Sequence, residues 1–156
     1  MDIAPSEPDP AAPPGFEARR MNGGFLQATG PLWVRRDAAG GPTTYGMRVQ
    51  PRHCNPKDMC HGGMLATLAD IVLGLGGFEQ AGVRGFFITI SLNTDFLAPA
   101  PLGAWIQCRP ELVRATRSLV FAQGVFTVDE APVLRASGVF RIPPAPDGSR
   151  AAGDAA

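Results

Sequence analysis

Hydrophobic and polar positions change period along this chain, and each change predicts an element. After Gly85 the period is two. In FFITISLNTDFL, Ile88, Ile90, Leu92 and Phe96 fall on one face, and Thr89, Ser91, Asn93 and Asp95 on the other. That alternation predicts a half-buried strand, ended by Pro99 and Pro101. Strand-like runs follow at 104–113, 119–128 and 133–142, the last two joined by a turn at 129–132. Upstream, 31–36 and 43–50 read as a hairpin around the turn cluster 37–42. Residues 16–28 read as a short helix stopped by Gly23 and Gly24.

Between these groups, 51–60 is a polar loop with Pro51 and Pro56, and 62–77 is apolar without alternation. The length and the Met, Leu and Ala content of the second stretch predict a helix buried on most sides. Gly74, Gly76 and Gly77 each cost such a helix roughly 1 kcal/mol relative to Ala. Their expected uses are close approach of another backbone and helix termination. The order is then two strands, one helix and four strands. Tight turns between successive strands imply an antiparallel sheet. The predicted class is α+β: about six strands wrapped around one long central helix, the hotdog arrangement. A lone copy would leave an edge strand and part of the helix uncovered, so a homo-oligomer is expected.

Composition narrows the function classes. The 156 residues suit one domain, and a formal net charge of +0 offers no broad surface for nucleic acid or anionic membrane. No apolar stretch reaches the ~18 residues of a membrane span. Residues 1–15 are acidic and Pro-rich, without the features of a secretory signal, and read as a disordered tail; 143–156 reads likewise. The folded domain is expected over 16–142. Cys54, Cys60 and Cys108 make a poor disulfide framework, which favours reduced thiols and a cytoplasmic setting.

HCNPKDMCHGG, from His53 to Gly63, holds two Cys and two His in one short stretch. Structural zinc sites pair closer ligands in two separated halves, and no second cluster exists here. No metal is expected, and Cys54 and Cys60 read as small apolar fillers. Asp70 is a stronger signal, being the only charged residue between Gly62 and Phe78. A carboxylate on an apolar helix is costly unless hydrogen-bonded or facing a polar cleft. It reads either as a solvent-edge Asp or as an acid/base or nucleophilic group. His61, Gly62 and Gly63 sit at the helix start, where backbone N–H groups lack partners and the dipole favours negative charge. They read either as a tight turn or as donors to a developing oxyanion. Asp70 lies ~12 Å further along the same helix, so one copy cannot bring both groups to one carbonyl unless the substrate is extended.

Asn55, His61-Gly62-Gly63, Leu68-Ala69-Asp70 and then TISLNTDFLAPA together resemble the PaaI-type acyl-CoA thioesterases of the hotdog superfamily. The intervals match: seven from Asn55 to Gly62, and eight from Gly62 to Asp70. The resemblance covers about 47–141. It implies hydrolysis of an acyl-CoA substrate, without cofactor, in a dimer or dimer of dimers (a homotetramer). Gly62 N–H would polarise the thioester carbonyl, with Gly63 beside it. Asn55 and His61 would position thioester or water. Asp70 of a neighbouring subunit would be nucleophile or base, with Thr89 orienting water and Ser91 on the same face. Arg114, Thr116, Arg117 and Ser118 fall where this family contacts the coenzyme A phosphates. Enoyl-CoA hydratases of the same superfamily carry DxNPxH. Here Asn55 and Pro56 remain, but His53 replaces that Asp and Asp58 that His. The rival reading is a non-catalytic acyl-CoA or acyl-carrier binding module, and Phe25, Leu26, Trp33, Phe78 and Phe86 are candidate acyl-pocket residues.

Overall fold

The computed structural model describes residues 12–144, so the tails expected over 1–15 and 143–156 fall mostly outside the described residues. The chain runs β1 (Glu17–Arg19), α1 (Gly24–Thr29), β2 (Leu32–Arg35), β3 (Thr44–Arg48), a 3₁₀ turn (Pro51–His53), α2 (Gly62–Gln80), β4 (Ile88–Phe96), β5 (Trp105–Cys108), β6 (Glu111–Ala115), β7 (Leu119–Val128) and β8 (Ala131–Arg141). The strands form one antiparallel sheet in the order β1-β2-β3-β5-β7-β8-β4, with β6 also on β7. This is the predicted hotdog, with eight strands where about six were expected.

Two local causes add the extra strands. Pro110 has no N–H to donate, so the run read as 104–113 breaks into β5 and β6. Residues 17–19 extend to pair with β2, and Gly23 and Gly24 begin α1, whereas the sequence reading had them stop a helix. The hairpin of β7 and β8 turns on Asp129 and Glu130, both at positive φ (47° and 68°), as its two-residue connection requires.

The core is a single cluster. Leu65, Leu68, Ala69, Val72, Leu73 and Phe78 of α2 meet Tyr45, Met47, Ile106, Val120, Phe126, Leu134 and Phe140 of the sheet. Glycines let the helix lie this close. A Cβ on Gly74 would stand 2.3 Å from Phe87, and one on Gly76 would stand 2.1 Å from Pro110. The neighbours that approach these two glycines are side chains, and none of the three glycines ends the helix. α2 runs on to Gln80, where Gly82 at φ 68° allows its N–H to reach the Glu79 carbonyl and the Val83 N–H to reach Phe78. At 19 residues α2 has the length and composition of a membrane span, although half of it is buried in this core. Its far end is tied to β3: Thr43 Oγ1 and Tyr45 OH donate to the two Glu79 carboxylate oxygens at 2.6 and 2.8 Å. Burial, then the Glu79 carboxylate, pushes the Tyr45 phenol well above its ordinary value, so it remains a donor.

β4 pairs with β8 alone among the described residues. A bulge between Thr89 and Ser91 changes its facing. Thr89, Leu92, Thr94 and Phe96 pair with the helix-facing Phe140, Gly138, Ala136 and Leu134, while Ile88, Ser91, Asn93 and Asp95 pair with the outward Arg141, Val139, Ser137 and Arg135. The strict alternation predicted for 86–97 therefore holds only beyond the bulge. In one copy the strand is mostly exposed, including Ile90 and Phe96.

Gly76→Ala should lower stability by about 1–3 kcal/mol. The added methyl must displace the Pro110 ring, which outweighs a helix-propensity gain of roughly 1 kcal/mol. Urea unfolding checks this, and an unchanged or raised midpoint would contradict the packing account.

Candidate active site

The loop before α2 is built by Asn55. Its Oδ1 accepts from the N–H groups of Lys57 (2.9 Å) and Met59 (3.3 Å), and its own N–H donates to the Met59 carbonyl. The carbonyl oxygen of this half-buried amide thus holds the loop, and its Nδ2 group makes no hydrogen bond among the described residues. The chain closes at the isolated bridge between Cys54 and Cys60 and turns into the helix at His61.

The first turn of α2 distributes its donors unequally. His61 Nδ1 accepts from Gly63 N–H at 2.9 Å, and the His61 carbonyl accepts from Met64 and Leu65. Gly62 N–H makes no hydrogen bond among the described residues. It is the one donor of this turn not spent, at the positive end of a long buried dipole. The cap also fixes His61: an accepting Nδ1 leaves the ring proton on Nε2, at the exposed side. The Phe96 ring stands 3.5 Å from where a Gly62 Cβ would be, forming an apolar wall beside the free N–H. No signal in the alternation pattern singled Phe96 out.

Asp70 lies two turns further on, half-buried, and Thr89 Oγ1 donates to its Oδ1 at 2.6 Å. This bond supplies the partner that a carboxylate on an apolar helix needs, and it is compatible with either reading of Asp70. Ser91, expected beside Thr89, is turned to the outer face by the bulge and does not join this pair. The turn after β6 lies at the same end of the sheet, since Val120 and Thr89 both pair with Phe140. Thr116 Oγ1 accepts from Ser118 and Leu119 N–H, so its hydroxyl shapes the turn, while Arg114 and Arg117 are exposed.

The predicted residues therefore form two groups along α2, one at its N-terminus and one at its middle. Asn55, His61, Gly62 and Gly63 make one, joined by Phe96, and Asp70 with Thr89 makes the other, while Arg114 and Arg117 sit at the same end of the sheet but across β8 and β7 from Thr89. The candidate pocket residues do not converge. Phe78 is core and Phe25 and Phe86 are exposed, while Leu26 closes a narrow apolar crevice with Pro31, Met64, Leu68 and Ile71. A cleft of about 840 Å³ sits on the outer sheet face, lined by Arg35, Asn93, Asp95, Arg109 and Arg135, and touches neither group.

The model of the thioesterase superfamily matches residues 58–133. A Pseudomonas aeruginosa protein named provisionally as an esterase (PA0474) is 30% identical over 131 residues, covering 84% of this chain and 97% of that one. Human acyl-coenzyme A thioesterase 13 is 28% identical over 102 residues, 65% of this chain and 71% of the relative. A Bacillus halodurans protein crystallised with CoA superposes with a TM-score of 0.66 at 20% identity, covering 81% of this chain and 83% of that one.

His61→Ala should cost about 1 kcal/mol in thermal or urea unfolding through loss of the Gly63 cap, and His61→Asn, which keeps an acceptor, should restore most of it. Equal stability of wild type and His61→Ala would show that the cap contributes nothing.

Proposed function

The chain belongs to the thioesterase superfamily, and on that premise we propose that it hydrolyses acyl-CoA thioesters in a site shared between two copies. The single observation that carries this reading is the pairing of an unspent Gly62 N–H with a Thr89-bonded Asp70 two turns away on the same helix face. Each group suits one half of the reaction, and their ~12 Å separation suits neither half alone. A second copy related by a two-fold axis would set its Asp70 against the first copy's Gly62.

The exposed surface along β4 supports such a pairing. Ile90 and Phe96 of β4, and Phe86 just before it, are each more than half exposed in one copy, along a sheet edge that has no partner strand among the described residues. Cover by an identical edge satisfies both at once.

In the proposed reaction Gly62 N–H receives the thioester carbonyl oxygen and strengthens its bond as that oxygen becomes an oxyanion. The amide Nδ2 of Asn55 and Nε2–H of His61 are the remaining donors at this end. From the second copy, Thr89 donates to Asp70 Oδ1, which leaves Oδ2 to take a proton from water as it attacks the carbonyl carbon. The tetrahedral species collapses, the C–S bond breaks, and the CoA thiolate leaves to be protonated by solvent. Arg114 and Arg117 of that same second copy would meet the CoA phosphates, with Ser118 and the turn held by Thr116 beside them. Human acyl-coenzyme A thioesterase 13 and the CoA-bound Bacillus halodurans structure lend support by likeness.

Asp70→Asn should reduce kcat by about 10²–10⁴-fold across an acyl-CoA panel followed by free-thiol release, with KM little changed. Activity near wild type rejects the role of Asp70. Wild-type protein that binds acyl-CoA tightly and releases no thiol supports the binding-module reading instead. Mixing Asp70→Asn with Asn55→Ala, after partial unfolding and reassembly, should restore activity that neither variant has. Failure to recover any would place both groups in one copy.

A further inference from the structure

Cys54 and Cys60 are opposed across the neck of the loop that carries Asn55. The flanking hydrogen bonds define the pairing: Asn55 N–H donates to the Met59 carbonyl and His61 N–H to the His53 carbonyl, both at 2.8 Å. Those bonds lie on either side of the cysteines, so this is the non-hydrogen-bonded type of antiparallel pair. Its Cα atoms stand about 4.5 Å apart and its side chains leave one face of the ladder together. A disulfide needs Cα atoms about 4.4–6.8 Å apart with Cβ vectors side by side, and a pair of this type has both. Both are free thiols in the structure.

Access is graded. Cys54 is half-buried and Cys60 is buried, while Cys108 is buried on β5, where its sulfur packs against Gly124. His53 Nδ1 accepts from Gln50 N–H and His61 Nδ1 from Gly63 N–H, while the Cys54 thiol donates to the Gln50 carbonyl at 3.4 Å. Among the described residues no group of three or more metal-capable side chains forms.

We propose that Cys54 and Cys60 are a redox site, oxidised by a hydroperoxide to an intramolecular disulfide that clamps the Asn55 loop. The Cys54 sulfur attacks the peroxide, the O–O bond breaks, and Cys54 becomes a sulfenic acid while the thiol proton leaves with the alcohol or water. The Cys60 sulfur then attacks the sulfenic sulfur. The S–S bond forms, and the hydroxyl departs with the Cys60 proton as water. Two thiols are oxidised by two electrons and one peroxide is reduced. Burial and then the Cys54 sulfur push the Cys60 thiol up to about 12, and burial and then the Asp58 carboxylate raise the Cys54 thiol, so neither sulfur is an activated thiolate and both steps are slow. The clamp would fix the His53–His61 side of the neck and the Asn55 turn in their present arrangement. It stands independently of the hydrolysis reading, because it depends only on the geometry of the loop.

The test is a peptide map of the reduced full-length protein after stoichiometric hydrogen peroxide and alkylation. Trypsin cuts after Arg52, Lys57 and Arg84, which places Cys54 in peptide 53–57 and Cys60 in peptide 58–84. The expected result is that these two peptides travel as one linked species, separate on addition of dithiothreitol, and are never linked in Cys54→Ser. Cys108 should react with the alkylating agent only after denaturation. Three results overturn the proposal: Cys54 carried onward to sulfinic acid with Cys60 still alkylatable, a disulfide between Cys60 and Cys108, or linkage only between separate chains. The wild-type map decides the matter even if the variant fails to fold.

Discussion

A helix apolar on nearly every side must be covered on nearly every side, and one sheet cannot do it. α2 buries Leu65, Leu68, Val72 and Leu73 against the curved sheet but leaves the face of Gly63, Thr67 and Asp70 only partly covered. The same deficit appears on β4, whose inner side carries an exposed Phe96 and which, among the described residues, meets a partner strand on one edge only. Unmet apolar surface and unmet backbone groups thus coincide along one side of the molecule. The polar residues of the candidate site lie along that side. A carboxylate there escapes the desolvation it would suffer on the buried face, and a hydroxyl from β4 satisfies one of its oxygens.

Rigidity at both ends of α2 gives the site its geometry. The C-terminal end is tied by Glu79 to Thr43 and Tyr45, and by the Gly82 stop. A carboxylate near a helix C-terminus opposes the dipole, and the two hydroxyl donors offset that cost. At the other end, the Asn55 turn, the Cys54–Cys60 bridge and the His61 cap satisfy the backbone around Gly62 while leaving Gly62 itself open. Buried glycines along α2 let Phe87 and Pro110 press directly on the helix backbone. The helix therefore holds Gly62 at its start and Asp70 at its middle at a set spacing, as a ruler would.

Local residue choice was enough for much of this. The long apolar run without alternation reads as a buried helix from its length and its Met, Leu and Ala content, and β7 runs from Leu119 to Val128 as its pattern indicated, because each depends on residues within one element. The same holds for the isolated charge at Asp70 and the diglycine after His61, which stand out against their own neighbours. Boundaries that depend on hydrogen-bond partners were not legible. Gly23 and Gly24 start a helix rather than stop one, since 17–19 finds a strand partner in β2, and Gly82 rather than Gly77 ends α2.

Residue types and their spacing settled which groups are available: one carboxylate, one glycine-rich helix start, two thiols in a short loop. Only the tertiary structure decided which of them face each other. Thr89 reaches Asp70 and Ser91 does not, because a bulge set by pairing with β8 reverses the facing between them. Phe96 lies beside Gly62, and Cys54 opposite Cys60, through contacts that close across the chain rather than along it. Periodicity reports the direction of a side chain within its own element; what stands in that direction is a property of the elements around it.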